Sequence, residues 1–440
     1  MSAFQIFPAT YGFHVSSSHA TPSQETDYAG VSEAAGFQPL RSVTLIRIVS
    51  RTCYNETMSI TPITKSNTNS IKKTDLLSLT LPQMQQWLVE RGEPSFRVKQ
   101  LYSWLYQRLV TDFSAMTNLP QSLRSQLAQE ASIGPMVVRS EQHSKDDRTR
   151  KILLKLDDGK LIESVLMLYP PIRESSARAT VCVSTQAGCA FGCTFCATGQ
   201  MGFDRHLTAG EIVAQVLFFA RELRDAPWFA KGLPGSTPID HITNIVLMGM
   251  GEPLHNYDCV MQAMRILNNP DGFNLGARHM TVSTVGLVPA IRKLSQEPLQ
   301  VNLAISLHAP TDELRSQTMP INKKYPLGEL LAACKDYIAA TARQVTFEYV
   351  LLAGVNDTAE YAHLLSELLA PLKQFAHVNC IPVNATSAEY KPPSGDAIRA
   401  FRNILFEHGV SNSVRAERGD DIAAACGQLR TRFEKNRNQQ

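Results

Sequence analysis

The spacing of apolar residues divides the chain into stretches with different expected structures. From about Lys73 to Ser132, Leu, Met, Trp, Val and Tyr recur three and four positions apart, which predicts a small helical module. Between Met136 and Leu168, apolar and polar residues alternate on both sides of Asp158–Gly159. Alternation around Asp-Gly is a strong signal for a β-hairpin, so we expect a linker hairpin that leads into the rest of the chain.

Strand-like and helix-like runs take turns from about Ala179 onward. The strand-like runs are TVCVST, HITNIVLMGMG, HMTVSTVG, VNLAISLH, QVTFEYVLL and AHVNCIPVN. The amphipathic runs between them include Ala209–Leu223, Tyr257–Leu267, Gly328–Ala340 and Ala359–Leu369. Six such βα repeats predict an α/β fold with a parallel sheet, either a partial barrel or a doubly wound sheet.

The positions of the unusual polar residues favour the barrel. In barrels the chemistry sits where strands end and loops begin. The residues at such positions are Gly251–Glu252, Ser283, Ser306–His308 and Asn384. We therefore expect a partial (βα)6 TIM-like barrel with one active-site mouth, preceded by a small N-terminal helical domain and a linking β-hairpin.

These patterns give five expected segments. They are a disordered low-complexity extension at 1–72, a helical accessory domain at 73–135, a linker hairpin at 136–175, the barrel at 176–432 and a polar tail at 433–440. The first 57 residues are rich in Ser and Thr, but Glu25, Asp27 and Glu33 argue against a transit peptide. Met58 is a candidate start, so the fold prediction leaves this segment out.

Composition narrows the class of protein. The 440 residues include 44% hydrophobic and 19% charged residues, as in an ordinary globular protein. The net charge of +3 is too small to indicate nucleic-acid binding by itself. The exposed residues expected on the helical module include Arg91, Arg97, Lys99 and Arg108, although a solvated helix face is their more ordinary explanation. No run approaches the roughly 20 apolar residues of a membrane span, so we expect no membrane association.

The cysteines point to a compartment and to a metal site. Nine cysteines, an odd number, occur without a secretory signal, which favours a cytoplasmic, reducing environment with metal-binding or catalytic thiols. Cys189, Cys193 and Cys196 follow C-x3-C-x2-C in AGCAFGCTFCATG, just after the first barrel strand. Three thiolates on a tight loop are good ligands for a soft metal centre.

A [4Fe–4S] cluster bound by three cysteines keeps one iron open. That iron can chelate the amino and carboxylate groups of S-adenosylmethionine, and electron transfer then breaks the sulfonium C–S bond to give a 5′-deoxyadenosyl radical. The alternative is a zinc site made by the same cysteines and a histidine. The zinc site is the weaker hypothesis because no second Cys or His pair lies nearby at zinc-ribbon spacing.

A second motif, LMGMGEPLHN, ends the second barrel strand. Gly249 and Gly251 would let the backbone approach a ligand closely, and Glu252 could bond the ammonium group of S-adenosylmethionine. Alone, Gly-Glu-Pro indicates only a turn. After the cysteine loop it becomes a credible site for the methionine amine.

With these residues in view, the chain resembles the RlmN family of radical S-adenosylmethionine RNA methyltransferases from about Leu76 to Leu429. The resemblance is carried by CVSTQAGCAFGCTFC, MGMGEPLHN, SLHAPTDELRSQTMPINKKYP, IPVN and RGDDIAAACGQL. It implies a radical S-adenosylmethionine barrel, and methylation of carbon 2 of adenosine 2503 in 23S rRNA and of adenosine 37 in tRNA. It also implies a [4Fe–4S] cluster, S-adenosylmethionine, an electron donor such as flavodoxin or ferredoxin, and an RNA-binding N-terminal domain. We expect a monomer, because one chain holds every implied catalytic group.

The resemblance also implies roles for individual residues. Cys426 matches the cysteine that is methylated, Cys182 the one that resolves the intermediate through a disulfide, and Glu163 the proton acceptor. The positions that match S-adenosylmethionine-binding residues are Gly251, Glu252, Ser283, Ser306, Leu307, His308 and Asn384, and the cluster ligands are Cys189, Cys193 and Cys196. Without the resemblance, Cys182 and Cys426 would be ordinary buried cysteines.

Three other functions stay open at this point. The nearest is the Cfr type, which would methylate carbon 8 of the same adenosine and shares both cysteines and the cluster. Another is an RNA-binding protein with zinc in the cysteine loop and no catalysis. The third is a radical enzyme that acts on a small molecule. The four other cysteines match no functional position and are expected to be structural; they are Cys53, Cys259, Cys334 and Cys380.

Overall fold

The structure is a computed structural model that describes residues 73–171, 176–229, 238–384, 390–415, 419–425 and 427–429. All of them belong to one compact unit, Asn69–Gln440. The expected extension at 1–72, the polar tail at 433–440, Cys53 and the implied methyl carrier Cys426 lie outside the described residues.

The N-terminal part is helical, as the apolar spacing predicts. Its elements are β1 (Thr74–Asp75), α1 (Leu81–Val89), α2 (Arg97–Tyr106), α3 (Gln121–Glu130) and β2 (Ala131–Ser132). In α1 the buried residues are Met84, Trp87 and Leu88, three and four positions apart. The two-residue strands β1 and β2 pair in parallel and bring the ends of the module together.

The region around Asp158–Gly159 contains the predicted hairpin and one further strand. The strands are β3 (Val137–His143), β4 (Thr149–Lys155) and β5 (Leu161–Tyr169), and neighbours pair antiparallel. The sequence predicts a linker here, but β5 also pairs antiparallel with the first strand of the barrel sheet. The hairpin is therefore part of that sheet. Residues on β5 are largely buried on both faces of the strand, as expected for a strand inside a covered sheet.

The remaining elements follow the predicted alternation of strands and helices. The strands are β6 (Arg178–Cys182), β7 (Gln186–Gly188), β8 (Phe203–His206), β9 (Asn244–Leu247), β10 (Met280–Thr284), β11 (Asn302–Ser306), β12 (Val345–Leu351), β13 (Ala376–Pro382) and β14 (Ser411–Val414). The helices are α4 (Ala209–Asp225), α5 (Tyr257–Asn268), α6 (Val288–Leu294), α7 (Asp312–Thr318), α8 (Leu327–Thr341), α9 (Ala359–Leu369) and α10 (Gly395–Glu407).

The order of the strands decides between the two predicted sheets. The main sheet runs β14-β13-β12-β11-β10-β9-β6-β5-β4-β3, and within it each pair from β6–β9 to β13–β14 is parallel. A doubly wound sheet would reverse its strand order at a switch point, whereas these strands follow one another without reversal. Among the described residues β3 and β14 form the two edges, so the sheet is a partial barrel.

Local sequence explains where individual elements begin and end. Helix α4 begins with a capping box, in which the Thr208 side chain accepts from the backbone N–H of Glu211 while the Glu211 carboxylate accepts from that of Thr208. Sequence patterns did not predict α6, α7, α10 or β14. Helices α6 and α7 span only two turns and β14 is polar, so these three carry little periodic signal. Helix α10, with 13 residues, was long enough to be found and was missed.

The helical module and the barrel share one hydrophobic core. Tyr102 of α2 is fully buried and its hydroxyl donates to the carbonyl of Ile266 in α5. The backbone N–H of Gly210 at the start of α4 donates to Ser78 Oγ. No helix among the described residues has the length and apolar character needed to cross a bilayer.

Candidate active site

A cavity opens at the carboxyl ends of the parallel strands. Its empty space is about 980 Å³, part of it open to solvent, which is the size of a small-molecule site. The predicted site residues in its wall are Cys189, Cys193, Cys196, Gly251, Glu252, Ser283, Ser306, His308 and Asn384. Residues far apart in sequence converge here because parallel strands end at the same edge of the sheet.

The three cysteines lie on a loop closed by the pair β7 and β8. Gly188 of β7 pairs with Phe203 of β8, and Cys189 N–H donates to the carbonyl of Gly202 at 2.7 Å. Gly188 has φ +77°, and a Cβ there would collide with the Gly202 carbonyl, so only glycine fits this closure. Burial raises the pKa of the Cys189 thiol to about 12 and also raises the pKa of Cys193 and of Cys196.

Glu252 is a buried carboxylate in the cavity wall. Its oxygens accept hydrogen bonds from the backbone N–H groups of Leu254, at 3.0 Å, and Val285, at 2.8 Å. Burial nevertheless raises its pKa to about 7, since desolvation outweighs these hydrogen bonds. A cationic ligand group next to Glu252 would lower the pKa of this carboxyl group and favour the carboxylate. The predicted contact with an ammonium group needs that ionised form.

Gly251 brings the backbone next to Gln186. It has φ +100°, and a Cβ on it would lie 2.5 Å from Gln186 Cβ. The Gln186 side chain is fully buried and its Oε1 accepts from the backbone N–H of Glu252 at 2.9 Å. The motif therefore needs glycine here both for its backbone conformation and for the close contact.

A fully buried arginine organises the strand ends beside the cavity. Arg315 Nη2 donates to the carbonyls of Val285 and Ser306, and its Nε donates to the carbonyl of Leu307 at 3.0 Å. Leu307 itself is fully buried and lies outside the cavity wall. Leu307 therefore contributes to this edge through its backbone carbonyl, which Arg315 holds in place.

His308 is held as a neutral imidazole. Its Nδ1 accepts from the backbone N–H of Val350 at 3.0 Å, and the Phe195 ring stands edge-on to it with centroids 4.8 Å apart. Burial and the nearby Arg315 lower the pKa of His308 to about 3. The residue also adopts φ +59°, which is uncommon for a residue with a side chain and is typical of functional sites.

The wall contains two charged residues that the sequence interpretation missed. Glu348 in β12 is buried, and its Oε2 accepts from Asn379 Nδ2 at 2.8 Å. Burial raises its pKa, while the charge of Arg415, which also lines the cavity, lowers it. Glu348 is the one charged residue in the strand VTFEYVL, and that isolated charge was the signal available in the sequence.

Glu163 and Cys182 lie outside this wall, on the antiparallel part of the sheet. Val165 of β5 faces Lys151 of β4 on one side and Cys182 of β6 on the other, and Glu163 is two residues from Val165. Since side chains alternate along a strand, Lys151, Glu163 and Cys182 share one face of the sheet. Both Glu163 and Cys182 are buried.

The C-terminal segment, residues 419–425 and 427–429, packs between that face and the cysteine loop. Lys151 Nζ donates to the carbonyl of Ala423 at 3.1 Å on the sheet side. On the loop side, Ala197 N–H donates to the carbonyl of Gly427 at 2.8 Å, and Thr198 Oγ1 donates to that of Leu429. Gly427 also lines the cavity. The segment on either side of position 426 thus contacts the sheet face of Glu163 and Cys182, through Lys151, and the cysteine loop, through Ala197 and Thr198.

Comparison with known proteins assigns the family. Residues 74–133 match the N-terminal domain of ribosomal RNA large subunit methyltransferases, and residues 238–365 match the radical SAM superfamily. A probable dual-specificity RNA methyltransferase RlmN from Geobacillus kaustophilus is 48% identical over 361 residues, 82% of this chain and 93% of that protein. Its namesake from Chloroflexus aurantiacus is 49% identical over 362 residues, 80% and 92% of the two chains. The chain belongs to the RlmN family.

A solved structure agrees with the family. The crystal structure of a radical SAM methyltransferase from Sphaerobacter thermophilus is 49% identical, has a TM-score of 0.75, and covers 81% of this chain and 99% of that one. The partial barrel is therefore the radical SAM fold, with a small N-terminal domain. This confirms the predicted family and fold class. Membership in this superfamily implies a [4Fe–4S] cluster and S-adenosylmethionine.

The residues of the cavity fit such a cofactor pair. The cysteine thiols supply soft donors, and burial by itself disfavours their thiolates, so bound metal would be what stabilises the charged form. Glu252 supplies a buried anion on the same wall for an ammonium group. Phe195 and Met319 add apolar surface beside the cysteine loop, which limits access of water to a cluster.

Within the described part of the chain, no three His, Cys, Asp or Glu side chains are grouped closely enough to hold one metal ion. A four-iron cluster takes each cysteine at a different iron atom, so its protein ligands stand further apart than those of zinc, which lie about 2.0–2.3 Å from one ion. Ligation of a cluster by these three cysteines stays a prediction.

Proposed function

We propose that this protein is an RNA methyltransferase that adds a methyl group to carbon 2 of adenosine 2503 in 23S rRNA and of adenosine 37 in tRNA. The relatives bear the name dual-specificity RNA methyltransferase, which supports RNA as the substrate class. The observation that carries the proposal is the position of the C-terminal segment, which contacts the sheet face of Glu163 and the loop of Cys189 together.

Carbon 2 of adenine explains why radical chemistry is needed. This carbon lies between two ring nitrogens, is poor in electrons and has no lone pair to attack the methyl group of S-adenosylmethionine. A methyl group must therefore first be placed on a nucleophile of the protein and then activated. A cysteine thiolate is such a nucleophile, and Cys426 is the proposed carrier.

In the proposed site, Cys189, Cys193 and Cys196 hold the cluster and Glu252 binds the ammonium group of S-adenosylmethionine. Ser283, Ser306, His308 and Asn384 complete the S-adenosylmethionine site, with Gly251 and Leu307 contributing backbone. A cluster bound there would supply the single electron that cleavage of S-adenosylmethionine needs, and it could accept the electron released when the adenine ring regains its aromaticity.

The protein's own groups then carry the methyl transfer. The Cys426 thiolate takes a methyl group from a first S-adenosylmethionine by displacement. The 5′-deoxyadenosyl group of a second S-adenosylmethionine would later take one hydrogen atom from that S-methyl group and leave as 5′-deoxyadenosine. The resulting methylene radical on Cys426 bonds to carbon 2, and the ring regains its aromaticity by losing one electron and, to Glu163, the carbon-2 proton. The Cys182 thiolate attacks the Cys426 sulfur, the S–CH2 bonding pair goes to carbon, and a proton completes the methyl group.

The helical domain at 73–135 is proposed to bind the RNA. The target base has to leave its stack, which costs roughly a few kcal/mol and is cheapest for an unpaired loop base. Of the four basic residues predicted at its surface, Lys99 and Arg108 are exposed. Arg91 and Arg97 are only half exposed and are ion-paired with Glu130 and Glu93, which makes them poorer phosphate ligands.

The proposed setting is the bacterial cytoplasm, with an electron donor such as flavodoxin or ferredoxin. We propose a monomer as the working unit, because one chain supplies every group named above. Each turnover leaves a Cys182–Cys426 disulfide, which has to be reduced before the Cys426 thiolate can accept another methyl group. The electron donor or small thiols would reduce it.

Methylated nucleosides test the proposal directly. The full chain would be reconstituted without oxygen, given reductant, S-adenosylmethionine and unmodified 23S rRNA or tRNA, and the digested RNA analysed by mass spectrometry. We expect 2-methyladenosine. An 8-methyladenosine product would replace the carbon-2 assignment with the Cfr type. A fully loaded enzyme that gives no methylated adenosine on either RNA would eliminate the RNA methyltransferase function.

A further inference from the structure

A buried lysine connects the proposed proton acceptor to the C-terminal segment. Lys151 Nζ lies 3.2 Å from Glu163 Oε1, and the two side chains are 9% and 7% exposed. The same ammonium group donates a 3.1 Å hydrogen bond to the carbonyl of Ala423. None of the steps proposed above uses Lys151, although it contacts both of the elements that those steps must bring together.

Strand register holds this contact in place. Leu153 of β4 faces Glu163 of β5, and Lys151 faces Val165, so Lys151 and Glu163 are diagonal neighbours on one face of the antiparallel pair. Diagonal partners are close enough for long side chains to meet. Because each register shift of one residue would move a side chain to the opposite face, the whole β4–β5 pairing specifies this ion pair.

Removing one partner of a buried ion pair costs more than the intact pair contributes to stability. A buried carboxylate that loses a cationic partner becomes harder to keep ionised, and the usual response is to take up a proton. A protonated Glu163 could no longer accept the carbon-2 proton. The lysine is therefore placed where its loss would disable the carboxylate without removing it.

The second contact of Lys151 falls on a strained point of the backbone. Ala423 adopts φ +50°, a left-handed conformation that is unfavourable for a residue with a Cβ. Its carbonyl, held by Lys151, lies three residues before position 426. The bond to the ammonium group helps to hold the segment in this conformation against the sheet.

We propose that Lys151 is a positioning residue for loss of the carbon-2 proton, which keeps the Glu163 carboxylate ionised and fixes the C-terminal segment beside it. This inference rests on the proposed function, in particular on Glu163 as proton acceptor. Lys151 itself neither touches the substrate nor gives up a proton.

Other titratable groups near Glu163 come from β4, β6 and the C-terminal segment. Lys155 of β4 faces Leu161 and is the second diagonal neighbour of Glu163 on this face. Cys182 of β6 lies on the same sheet face. In the segment, Asp421 accepts from the backbone N–H of Lys145, and Asp420 accepts from Gln428 Nε2. Both aspartates are thus engaged with groups other than Lys151, and the Lys151–Glu163 ion pair is the contact that the substitutions below change.

The test measures release of methylated RNA from the covalent protein–RNA adduct against pH, in single turnovers of the reconstituted full chain. For Lys151→Met we expect the pH of half-maximal release to rise by about one unit or more, since a neighbouring opposite charge shifts a carboxyl group by roughly 1–3 units. Below the wild-type midpoint, release should slow about tenfold at a given pH and recover at higher pH. Lys151→Arg keeps the charge and should restore the wild-type profile.

Matched controls separate this effect from general damage. Arg150→Met removes a cation from the opposite face of the same strand, where Arg150 faces Leu166 and pairs with Glu222, and it should leave the profile unchanged. Formation of 5′-deoxyadenosine and methylation of Cys426 precede the proton loss, so Lys151→Arg and Arg150→Met should retain both within about twofold. Any loss of either in Lys151→Met measures the part of its effect that comes through the Ala423 contact. If Lys151→Met does not fold, Lys151→Gln tests the same loss of charge with a side chain that can still donate hydrogen bonds.

The outcomes distinguish the inference from the function on which it rests. A wild-type pH profile for Lys151→Met, together with a blocked Glu163→Gln variant, would overturn the role of Lys151 and leave the proposed function in place. Adduct release by Glu163→Gln at the wild-type rate would remove the proton acceptor, and the inference with it. Failure of Lys151→Arg to restore the profile would also overturn it, because the charge would then not be what matters.

Discussion

The backbone N–H of Ala197 donates a 2.8 Å hydrogen bond to the carbonyl of Gly427, across almost the whole length of the barrel sequence. Beside it, Thr198 Oγ1 donates to the carbonyl of Leu429 at 2.7 Å. These two bonds join the cysteine loop to the chain immediately after position 426. The loop proposed to hold the cluster and the segment proposed to carry the methyl group are therefore expected to act as one unit.

Thr198→Val tests this connection. The substitution keeps the side-chain shape and removes the buried hydrogen bond to the Leu429 carbonyl, which is worth about 1 kcal/mol. It also removes the hydrogen bond between the Thr198 hydroxyl and the Cys196 thiol, so iron content is measured beside activity. We expect about a 5- to 10-fold slower RNA methylation with full iron content, measured by nucleoside mass spectrometry and iron assay. Thr194→Val on the same loop removes a bond to Tyr390 instead and is the matched control. Equal losses in both variants would contradict a specific link to the C-terminal segment.

Glu252 predicts the pH dependence of S-adenosylmethionine binding. Burial raises the pKa of this carboxyl group to about 7, and the ammonium group of the ligand needs the ionised form. Affinity should therefore fall as pH drops below about 7, approaching tenfold per pH unit. Calorimetric titration of the reconstituted protein from pH 6 to 8 measures this. In Glu252→Gln, binding should be weaker at pH 8 and should lose this pH dependence.

The same carboxyl group affects the stability of the ligand-free protein. Its pKa is raised on folding from 4.5 to about 7, so the folded state binds more protons than the unfolded state between these values. The free energy of unfolding should therefore fall as pH rises from 4.5 to 7, by about 3 kcal/mol at most. Urea unfolding of wild type and Glu252→Gln at both ends of this range isolates the contribution. A wild-type stability that rises relative to Glu252→Gln would contradict the raised pKa.

Gly251→Ala should damage both the fold and the site. The added Cβ would sit 2.5 Å from Gln186 Cβ at a residue with φ +100°, so overpacking and backbone strain together should cost about 2–5 kcal/mol. Thermal unfolding and S-adenosylmethionine binding measure the two effects. Gly328→Ala in helix α8 adds a Cβ with nothing within 4 Å, and it should stabilise by about 0.5–1 kcal/mol. Equal stability of the two variants would show that the close contact between Gly251 and Gln186 does not restrict this position to glycine.

Periodicity predicted most of the architecture because long amphipathic elements carry their own signal. Helix α9 has the bounds that its apolar spacing predicts, and all six strand-like runs form parallel neighbours in chain order. Short or polar elements lack such a signal. Strand β14, with the sequence SNSV, is fixed by its pairing with β13, and no pattern within its four residues announces it.

The candidate site was predictable where a motif places several residues on one loop. Cys189 and Glu252 were found in this way, and the structure places both in one cavity wall. Contacts made by folding were not predictable. The ion pair of Lys151 with Glu163 depends on strand register, and the buried Arg315 binds three carbonyls that belong to two different strand ends. Neither relationship has a sequence spacing that would reveal it.

Single cysteine substitutions test the predicted cluster ligands. Cys189→Ala removes one of the three thiols that line the cavity, and we expect loss of most of the iron and of the brown colour after reconstitution. Cys259→Ala, in helix α5 away from the cavity, is the matched control and should keep wild-type iron and sulfide content. Iron retained in full by Cys189→Ala would exclude it as a ligand. A colourless wild-type protein that binds one zinc ion would instead support the zinc hypothesis.

The exposed cations of α2 and of the turn after it predict how the helical domain contributes to RNA binding. Lys99 and Arg108 are exposed, and Arg108 stacks over the Trp104 ring with 4.2 Å between its guanidinium carbon and the ring centroid. If both contact phosphates, the variant Lys99→Ala/Arg108→Ala should bind RNA more weakly at low salt. Its plot of log affinity against log salt should be shallower by roughly 1.4–1.8, because each phosphate contact contributes about 0.7–0.9 to the slope.

Filter binding of tRNA across a salt series would measure both quantities, with iron content as a check on folding. Lys335→Ala, on the exposed face of α8, is the matched control for loss of a surface charge and should leave the slope unchanged. A double variant whose slope equals that of wild type would show that this face does not bind the phosphate backbone. RNA recognition would then have to come from the barrel mouth, since Arg91 and Arg97 are engaged by Glu130 and Glu93.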